Sequence, residues 1–443
     1  MRESERVALA RTILDLAGGD ACEAIVTSSA SGLTRFTHNA VHQNLASADT
    51  TVRVRTIVDG RTGVAVTNDL GSASLAQTVA RARAIAAFAP ADVIARALLH
   101  TAPIPAPHGA FVAATAAASP TARAATVAAI VTEAEAASVW AAGYVTTSQT
   151  GITIANSTGT LLSFDGTACG LNVKANAADA TGFAERYAND VAALDGAAAG
   201  AIAVAKTRVG TAPIAVDPGA WTVILEPAAI GELLSYLTDH FSAQTYVDGA
   251  SFLADGLGRT YVGENVTMWD DHTHPFLADL PFDFEGAPRT RVPLFEAGVA
   301  NHVVTDARYA RKLGIANTGH GFAVPSASGP EPRSVVVSTG SRSTQDLIAQ
   351  TKRGLLVSRF WYIRPVDERK TIVTGMTRDG TFLIEDGRIT AGVRNMRFNQ
   401  SILEALRHCE FASEAERTEG YGYRMVVPAV KIEGFRFDSG TDF

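Results

Sequence analysis

The sequence predicts an α+β fold, with an N-terminal antiparallel sheet and packed helices followed by a β-rich C-terminal domain. One observation is a hairpin pattern: residues 51–58 alternate polar and apolar, meet a turn at Asp59-Gly60, and resume at 63–66. Another is a change in the residue pattern near residue 209, after which short apolar runs alternate with turns rich in Gly, Asp and Pro. Together they indicate two differently built halves.

Periodicity and turn residues predict the other N-terminal elements. Apolar residues at helical spacing predict helices over residues 7–16, 72–87, 121–137 and 183–205. Runs with strand character predict strands over residues 24–27, 33–36, 143–147, 151–155 and 161–177. Turn chemistry at His38-Asn39 and at Asn156–Gly159 should separate neighbouring strands.

The C-terminal half predicts mainly short strands, over residues 221–225, 334–338, 355–362, 371–374, 381–384 and 425–432. A short helix is expected at 344–351, and a longer one at 227–240. Pro227 suits the first turn of that longer helix, because its missing N–H costs nothing there. We place the domain boundary after residue 208, so the expected domains are 1–208 and 209–443.

Charge and cysteine content limit the function classes. The 443 residues carry a net charge of -7 without a basic run, so nucleic acid is not an expected partner. The three cysteines cannot all pair, which is typical of reduced thiols in the cytoplasm. No run reaches the ~18 apolar residues that a membrane span needs. We therefore expect a cytoplasmic protein without a membrane partner.

Two acidic segments are candidate sites. Asp270-Asp271-His272-Thr273-His274 sets an acidic pair beside two histidines, which is either a metal site or a solvated loop. Further along, Asp283, Glu285 and Arg289 surround Gly286, which suggests a special backbone position. These three charged residues either form a buried ion-pair network or line a cleft that grips a peptide backbone.

Histidines supply the remaining candidates. His320 lies in the Gly-flanked loop Asn317–Gly321. It is either a general base, a substrate contact or a turn histidine without a functional role. His240 ends the 227–240 helix, where the macrodipole favours a histidine. Cys409 follows His408 in the string Arg-His-Cys-Glu. The chain lacks a Gly-x-Ser-x-Gly elbow, a Walker loop and a dinucleotide fingerprint.

Strings along nearly the whole chain resemble the TldD/PmbA family. They include Asp-Gly-Arg-Thr-Gly at 59–63, Phe-Asp-Phe-Glu-Gly-Ala-Pro-Arg at 282–289, Thr-Arg-Asp-Gly at 377–380 and Val-Arg-Asn-Met-Arg-Phe-Asn at 393–399. In the metal-bearing subunits of that family, the helix matching 227–240 carries His-Glu-x-x-x-His. The matching positions here are Ser235, Tyr236 and His240. The resemblance therefore implies the metal-less, TldE/PmbA-like subunit type.

The resemblance further implies a heterodimeric zinc peptidase or amidase that takes unfolded or short peptides or amide conjugates. Zinc would lie in a TldD-like partner, and this chain would supply cavity wall and substrate contacts, the candidates being Asp283, Glu285, Arg289, Asn317 and His320. A homodimer is the other expected assembly. Two alternatives remain: an autonomous amidase using His240, the 270–274 cluster or His320, and a binding or scaffold protein without catalysis.

Overall fold

The computed structural model describes residues 1–91, 98–420 and 423–441. Its α-helices are α1 Glu3–Ala17, α2 Ser72–Phe88, α3 Ala113–Ala116, α4 Pro120–Ala136, α5 Gly196–Gly210, α6 Pro227–Thr238, α7 Ala243–Val247, α8 Ala307–Leu313, α9 Thr344–Ala349 and α10 Ile402–Ala405. Local chemistry sets several ends. Ser119 caps α4 by accepting from the Ala122 N–H, and Gly314 ends α8 in the left-handed conformation.

The strands divide between the two halves of the chain. The N-terminal strands are β1 Ala21–Thr37, β2 Ala40–Val58, β3 Arg61–Thr67, β4 Trp140–Asn156, β5 Leu161–Asn176 and β6 Thr181–Ala188. The C-terminal strands are β7 Gly219–Leu225, β8 Arg259–Thr260, β9 Met268–Asp270, β10 Val292–Phe295, β11 Val299–Ala300, β12 Ser334–Val337, β13 Arg353–Asp367, β14 Ile372–Glu385, β15 Arg388–Gly392, β16 Met396–Ser401, β17 Cys409–Gly420 and β18 Tyr423–Gly440.

The first sheet has six strands in the order β3-β2-β1-β4-β5-β6, all antiparallel. Alternate side chains point to opposite faces, so Ala24 and Val26 pack with α1 and α2, and Ile25 faces the other way. There Ile25 packs with Leu280 and Phe282 of the C-terminal half. The predicted antiparallel sheet with packed helices is thus confirmed. Part of its second face packs against Leu280 and Phe282 of the C-terminal half.

The second sheet has ten strands, and β18 pairs with both β16 and β7. Because β7 also pairs with β13, the strands β18, β16, β14, β13 and β7 close into a ring. Helix α6 packs onto this ring, and its Ile230, Leu233 and Leu237 belong to the largest apolar core. The β-rich C-terminal half is confirmed. Among the described residues, no helix has the length and apolarity to cross a membrane.

Several predicted elements are longer or different in the structure. Residues 24–27 and 33–36 belong to the single strand β1, and 143–147 and 151–155 to the single strand β4. Within β4, Gly151 makes room for a buried side chain. A Cβ at Gly151 would lie 2.1 Å from the Arg6 guanidinium.

The predicted helix over 183–205 is wrong in its first part. Residues 183–188 lie in strand β6, and helix α5 begins at Gly196. Pairing of β6 with β5 decides this, from Asn176↔Thr181 to Cys169↔Ala188. The boundary expected after residue 208 stays a prediction.

Candidate functional site

Helix α6 carries the positions at which the metal motif of the family is expected. It begins at Pro227, as predicted, and ends at Thr238. A 3-10 turn follows over Asp239–Phe241, so His240 lies just beyond the helix. The apolar face of α6 is buried against the ring of strands. Because this face is buried, the packing also fixes the directions in which the other side chains of α6 point.

Two of the three motif positions are occupied by side chains whose hydroxyls donate to backbone carbonyls of this chain. Ser235 is 3% exposed, and its hydroxyl donates to the Glu232 carbonyl at 2.7 Å. The Tyr236 hydroxyl donates to the Ile363 carbonyl at 2.8 Å. Hydroxyls engaged in this way do not fit the nitrogen, sulfur and carboxylate donor set of a protein zinc site. The described residues contain no group of three or more His, Cys, Asp or Glu side chains able to hold a metal ion.

His240 is buried among apolar groups. Its ring centroid lies 5.5 Å from that of Phe252, and its Nδ1 has no hydrogen-bond partner among the described residues. Burial lowers the pKa of His240 to about 4, so the ring is neutral at physiological pH.

A contact that the sequence did not suggest forms at the C-terminal end of α6. The Tyr423 hydroxyl, at the start of β18, donates to the Asp239 carboxylate. Burial raises the pKa of Asp239. Burial, and then the charge of Asp239, raise the pKa of Glu331. Cys409 is half-buried, and burial raises the pKa of its thiol to about 12, so it is protonated at neutral pH.

Asp270 lies in a fully buried network, and the solvated-loop interpretation is wrong for this residue. Its carboxylate is 2.7 Å from Arg289 Nη2 and 3.0 Å from His320 Nε2. It also accepts from the backbone N–H groups of Arg333 and Ser334, at 2.6 and 2.7 Å. Burial opposes ionisation, but Arg289 and His320 hold the pKa of Asp270 below its ordinary value. The network joins four segments of the C-terminal half.

His320 is held inside this network. The ring is 0% exposed, and Nδ1 lies 2.9 Å from Thr318 Oγ1 while Nε2 contacts Asp270. Burial lowers the pKa of His320. Both ring nitrogens are therefore engaged by protein atoms. Asn317 makes a local turn, because its Oδ1 accepts from the Gly319 N–H at 2.9 Å.

Arg289 does not join Asp283 and Glu285, so the proposed network of these three residues is wrong. Its partners are Asp270 and, at 3.4 Å, Asp279. Asp283 accepts instead from three backbone N–H groups, those of Glu285, Ala287 and Gly321 at 2.8–2.9 Å. Burial outweighs these bonds and raises the pKa of Asp283 to about 6.

Glu285 is the predicted residue that lines a cleft. The cleft measures ≈ 460 Å³ and is also walled by Gln244, Arg308, Tyr309 and Phe322. One carboxylate oxygen of Glu285 accepts from the Ala307 N–H at 2.9 Å. Burial, and then the charge of Asp283, raise the pKa of Glu285 to about 8. At neutral pH the group is therefore mainly a neutral acid that can donate a hydrogen bond into the cleft.

Sequence reasoning missed a further ionisable group, because it treated residues 183–188 as helix. In strand β6 the residues Phe183, Glu185 and Tyr187 alternate onto one face and line a second cavity. Their period of two was the signal that identifies them. Burial raises the pKa of Glu185 to about 7.

Comparison with known proteins assigns the family. Residues 218–439 match the PmbA/TldA metallopeptidase C-terminal domain, and residues 22–86 match the PmbA/TldA metallopeptidase domain 1. The C-terminal match alone covers half of the chain. The protein belongs to the PmbA/TldD metallopeptidase family.

Individual relatives agree with this assignment. A metalloprotease of Methanothermobacter thermautotrophicus is 26% identical over 202 residues, which are 43% of this chain and 42% of that protein. A metalloprotease TldD homolog of Haemophilus influenzae is 26% identical over 228 residues, which are 50% of this chain and 46% of that protein. The chain thus matches less than half the length of these relatives.

A solved structure shares the fold over almost the full length. TldE from Thermococcus kodakarensis superposes with a TM-score of 0.87 at 22% identity, covering 98% of this chain and 99% of that chain. At this identity the likeness concerns the fold.

Proposed function

We propose that this chain is the metal-free, TldE/PmbA-type subunit of a zinc peptidase or amidase, whose metal is bound by a TldD-like partner subunit. The observation that carries the proposal is the hydrogen bonding of Ser235 and Tyr236. These side chains stand at the motif positions of α6, and each donates a hydrogen bond to a backbone carbonyl of its own chain. Their hydroxyls stabilise the fold where a metal-bearing subunit needs a ligand and a base.

In this role the chain contributes a wall of the substrate cavity. The cleft beside Glu285 supports the proposal, since its ≈ 460 Å³ suit a few residues of an extended peptide or a small amide conjugate. A protonated Glu285 donates to a substrate carbonyl, while its other oxygen stays held by the Ala307 N–H. Holding the acid in one orientation in this way positions a substrate before reaction.

The decisive experiment compares the isolated chain with a co-purified pair. The partner is a metal-bearing family member from the same genome, and zinc content and hydrolysis of an unfolded peptide are both measured. We expect no stoichiometric zinc and no turnover for the chain alone, and about one zinc per pair with turnover for the complex. Stoichiometric zinc in the isolated chain overturns the proposal. Turnover by the isolated chain instead supports the autonomous amidase.

Two variants of Glu285 test whether this chain contacts the substrate or only has to be present in the complex. Glu285→Gln keeps an acceptor for the Ala307 N–H and a donor toward the cleft, so the pair should retain most activity. Glu285→Leu removes both groups and should raise the KM of the pair by ~10-fold, the effect of one lost buried hydrogen bond. Equal activity of both variants and the wild type would favour a scaffold without substrate contacts.

A further inference from the structure

The first sheet is built from two halves with the same order of α-helices and strands. Residues 3–88 form α1, β1, β2, β3 and α2, and residues 120–210 form α4, β4, β5, β6 and α5. Strands β1 and β4 pair at the centre of the sheet, and the other strands follow outward in the same order on both sides. Both central strands have 17 residues, so each position in β1 has a counterpart in β4.

Two buried arginines make the same contacts in the two halves. The Arg6 Nε donates to Thr153 Oγ1 of β4 at 3.3 Å, and the Arg123 Nε donates to Thr34 Oγ1 of β1 at 3.2 Å. Thr34 and Thr153 occupy the same position in their strands, counted from the first residue. Each arginine therefore reaches from the helix of its own half to the central strand of the other half.

A glycine makes room for each guanidinium. A Cβ at Gly32 of β1 would lie 2.2 Å from Arg123 Nη1, and a Cβ at Gly151 of β4 would lie 2.1 Å from Arg6 Nη1. Gly32 and Gly151 are again counterparts in their strands. The two arginine sites are thus two copies of one arrangement, so each copy shows what the other contains or lacks.

The two copies differ in the residue that the next strand brings to the guanidinium. Asp165 of β5 pairs with Gly151, and its carboxylate lies 2.9 Å from Arg6 Nη2. In the other copy, Ala46 of β2 pairs with Gly32. Ala46 is therefore the counterpart of Asp165, and it brings no carboxylate.

Arg123 consequently has no counter-charge among the described residues. Its side chain is buried, and its N–H groups donate to four neutral oxygens, those of Thr34, Ala118, Thr147 and Asn44. A guanidinium has five N–H groups, so one on Nη2 is left over. Burial lowers the pKa of Arg123, but a guanidinium stays protonated at neutral pH. The positive charge is therefore not balanced there.

A cavity of ≈ 370 Å³ lies beside Arg123, and its wall includes both Gly32 and Ala46. We call it the Arg123 cavity. Ala46 is exposed, so the cavity opens to solvent. Of the described wall residues, only Arg123 carries a charge. The polar members of the wall are otherwise neutral: Ser31, Ser47, Thr115, Thr147, Ser148 and Gln149.

The start of α4 adds positive charge on the same side. Ala118 and Pro120, at this end of the helix, line the Arg123 cavity. The first turn of α4 contains no acidic residue, whereas the first turn of α1 contains Glu3 and Glu5. The N-terminal end of a helix carries a partial positive charge. This charge is balanced by side chains at α1, and at α4 it adds to the charge of Arg123.

We propose that the Arg123 cavity binds a carboxylate group of a ligand, in the place that Asp165 takes beside Arg6 in the other copy. The planar guanidinium matches a carboxylate in geometry as well as in charge. The cavity is larger than a carboxylate group, so a small residue that carries it also has room. The carboxylate is either the C-terminus or an acidic side chain of a peptide. That the ligand is a peptide rests on the proposed function, whereas the carboxylate site rests on Arg123 and Ala46.

Calorimetric titration of the isolated chain with three peptides tests the proposal. The first is acetyl-Gly-Gly-Ala with a free C-terminal carboxylate, the second is acetyl-Gly-Gly-Asp-amide, and the third is the neutral acetyl-Gly-Gly-Asn-amide. We expect the neutral peptide to bind ~10-fold more weakly than the better of the two others, because a charge-assisted contact is lost. Whether the first or the second peptide binds better identifies the source of the carboxylate.

Matched variants assign the binding to the Arg123 cavity. Ala46→Asp supplies the carboxylate from within the chain and should weaken the better carboxylate peptide ~10-fold. Arg123→Gln should cause a similar loss by removing the cation. Leu45→Asp is the control, because it adds the same charge one residue away, on the opposite face of β2, at a side chain that is 51% exposed and outside the wall. Circular dichroism verifies that each variant is folded.

The outcomes separate this inference from the proposed function. No binding by either carboxylate peptide, or equal binding by wild type and Ala46→Asp, overturns the carboxylate site, even if the zinc pair is active. An equal loss for Ala46→Asp and Leu45→Asp also overturns it, since net charge alone would then explain the effect. A loss confined to Ala46→Asp and Arg123→Gln supports the inference, even if co-purification with a metal-bearing partner yields no peptidase.

Discussion

Asp270 and Glu285 are buried carboxyl groups of the same half of the chain, yet their pKa values move in opposite directions. Asp270 is 0% exposed, lies 2.7 Å from Arg289, and its pKa is below the ordinary value. Glu285 is 9% exposed, accepts from one backbone N–H and neighbours Asp283; its pKa rises to about 8. Burial is common to both, and the adjacent charge decides the direction.

This difference separates a structural carboxylate from a candidate substrate contact. Asp270 is ionised and enclosed by donors from Arg289, His320 and two backbone N–H groups. Glu285 lines a cleft and is ready to donate a proton in a hydrogen bond. The comparison therefore separates the Asp270 network, which is enclosed by protein donors, from Glu285, which lines a cleft and which we propose as a substrate contact.

Removing the counter-charge of Asp270 should have the largest effect on stability. Arg289→Met leaves a fully buried carboxylate without its cation, which costs ~3–5 kcal/mol of unfolding free energy. Chemical denaturation measures the loss. Arg291→Met is the matched control, because Arg291 is exposed and 3.9 Å from Asp271, and a change below ~0.5 kcal/mol is expected. A similar loss for both variants would contradict the assignment.

The dependence of stability on pH should differ in sign between the two carboxyl groups. The folded pKa of Glu285 is about 8 against an ordinary 4.5, so its favourable contribution is complete below pH 4.5 and is lost as pH rises to about 8. Glu285→Gln lacks this loss, so its unfolding free energy relative to wild type should rise by ~3–4 kcal/mol between pH 5 and pH 8. Denaturation at several pH values measures the gain.

Asp270 supplies the opposite case in the same experiment. Its folded pKa is lowered, so its contribution is present above the ordinary value of 3.8 and is lost as pH falls below it. The deficit of Asp270→Asn relative to wild type should therefore shrink in acid. Parallel slopes for Asp270→Asn and Glu285→Gln would refute the comparison.

His320 tests whether the network also takes part in catalysis. His320→Ala removes the hydrogen bonds to Asp270 and Thr318 and should cost ~2 kcal/mol of stability. If His320 is a part of the scaffold, the activity of the pair per folded molecule and its pH profile stay as in wild type. Loss of the limb of the pH profile that falls in acid would instead identify a general base.

The smallest effects are expected on α6. Tyr236→Phe removes one hydrogen bond to the Ile363 carbonyl, and a loss of ~1 kcal/mol is expected. Ser235→Ala removes a bond within the helix itself and should change stability by less than ~1 kcal/mol. Zinc content and activity of the pair should be unchanged in both variants. Loss of zinc from the pair on either substitution would contradict the metal-free assignment.

Local sequence was enough where neighbouring residues decide the structure. The turn at Asp59-Gly60 has positive φ at both residues and joins β2 to β3, as its composition predicted. Pro227 opens α6, and its apolar face is buried as its spacing predicted. The motif positions at Ser235 and Tyr236 also needed only the sequence, because the change from ligand to hydroxyl is a matter of residue identity.

Tertiary structure decided the features that join distant segments. Asp270 and His320 are 50 residues apart in sequence, and Tyr423 and Asp239 are 184 residues apart. No local sequence pattern therefore predicts either contact. Residues 183–188 became a strand because β5 offered a pairing edge that outweighs helix spacing. The sequence by itself determined the family and many of the elements, but not the full extent of β1 and β4 or the strand at 183–188. Only the fold decided which buried carboxyl groups have a cation beside them, because that depends on distances between segments and not on residue type.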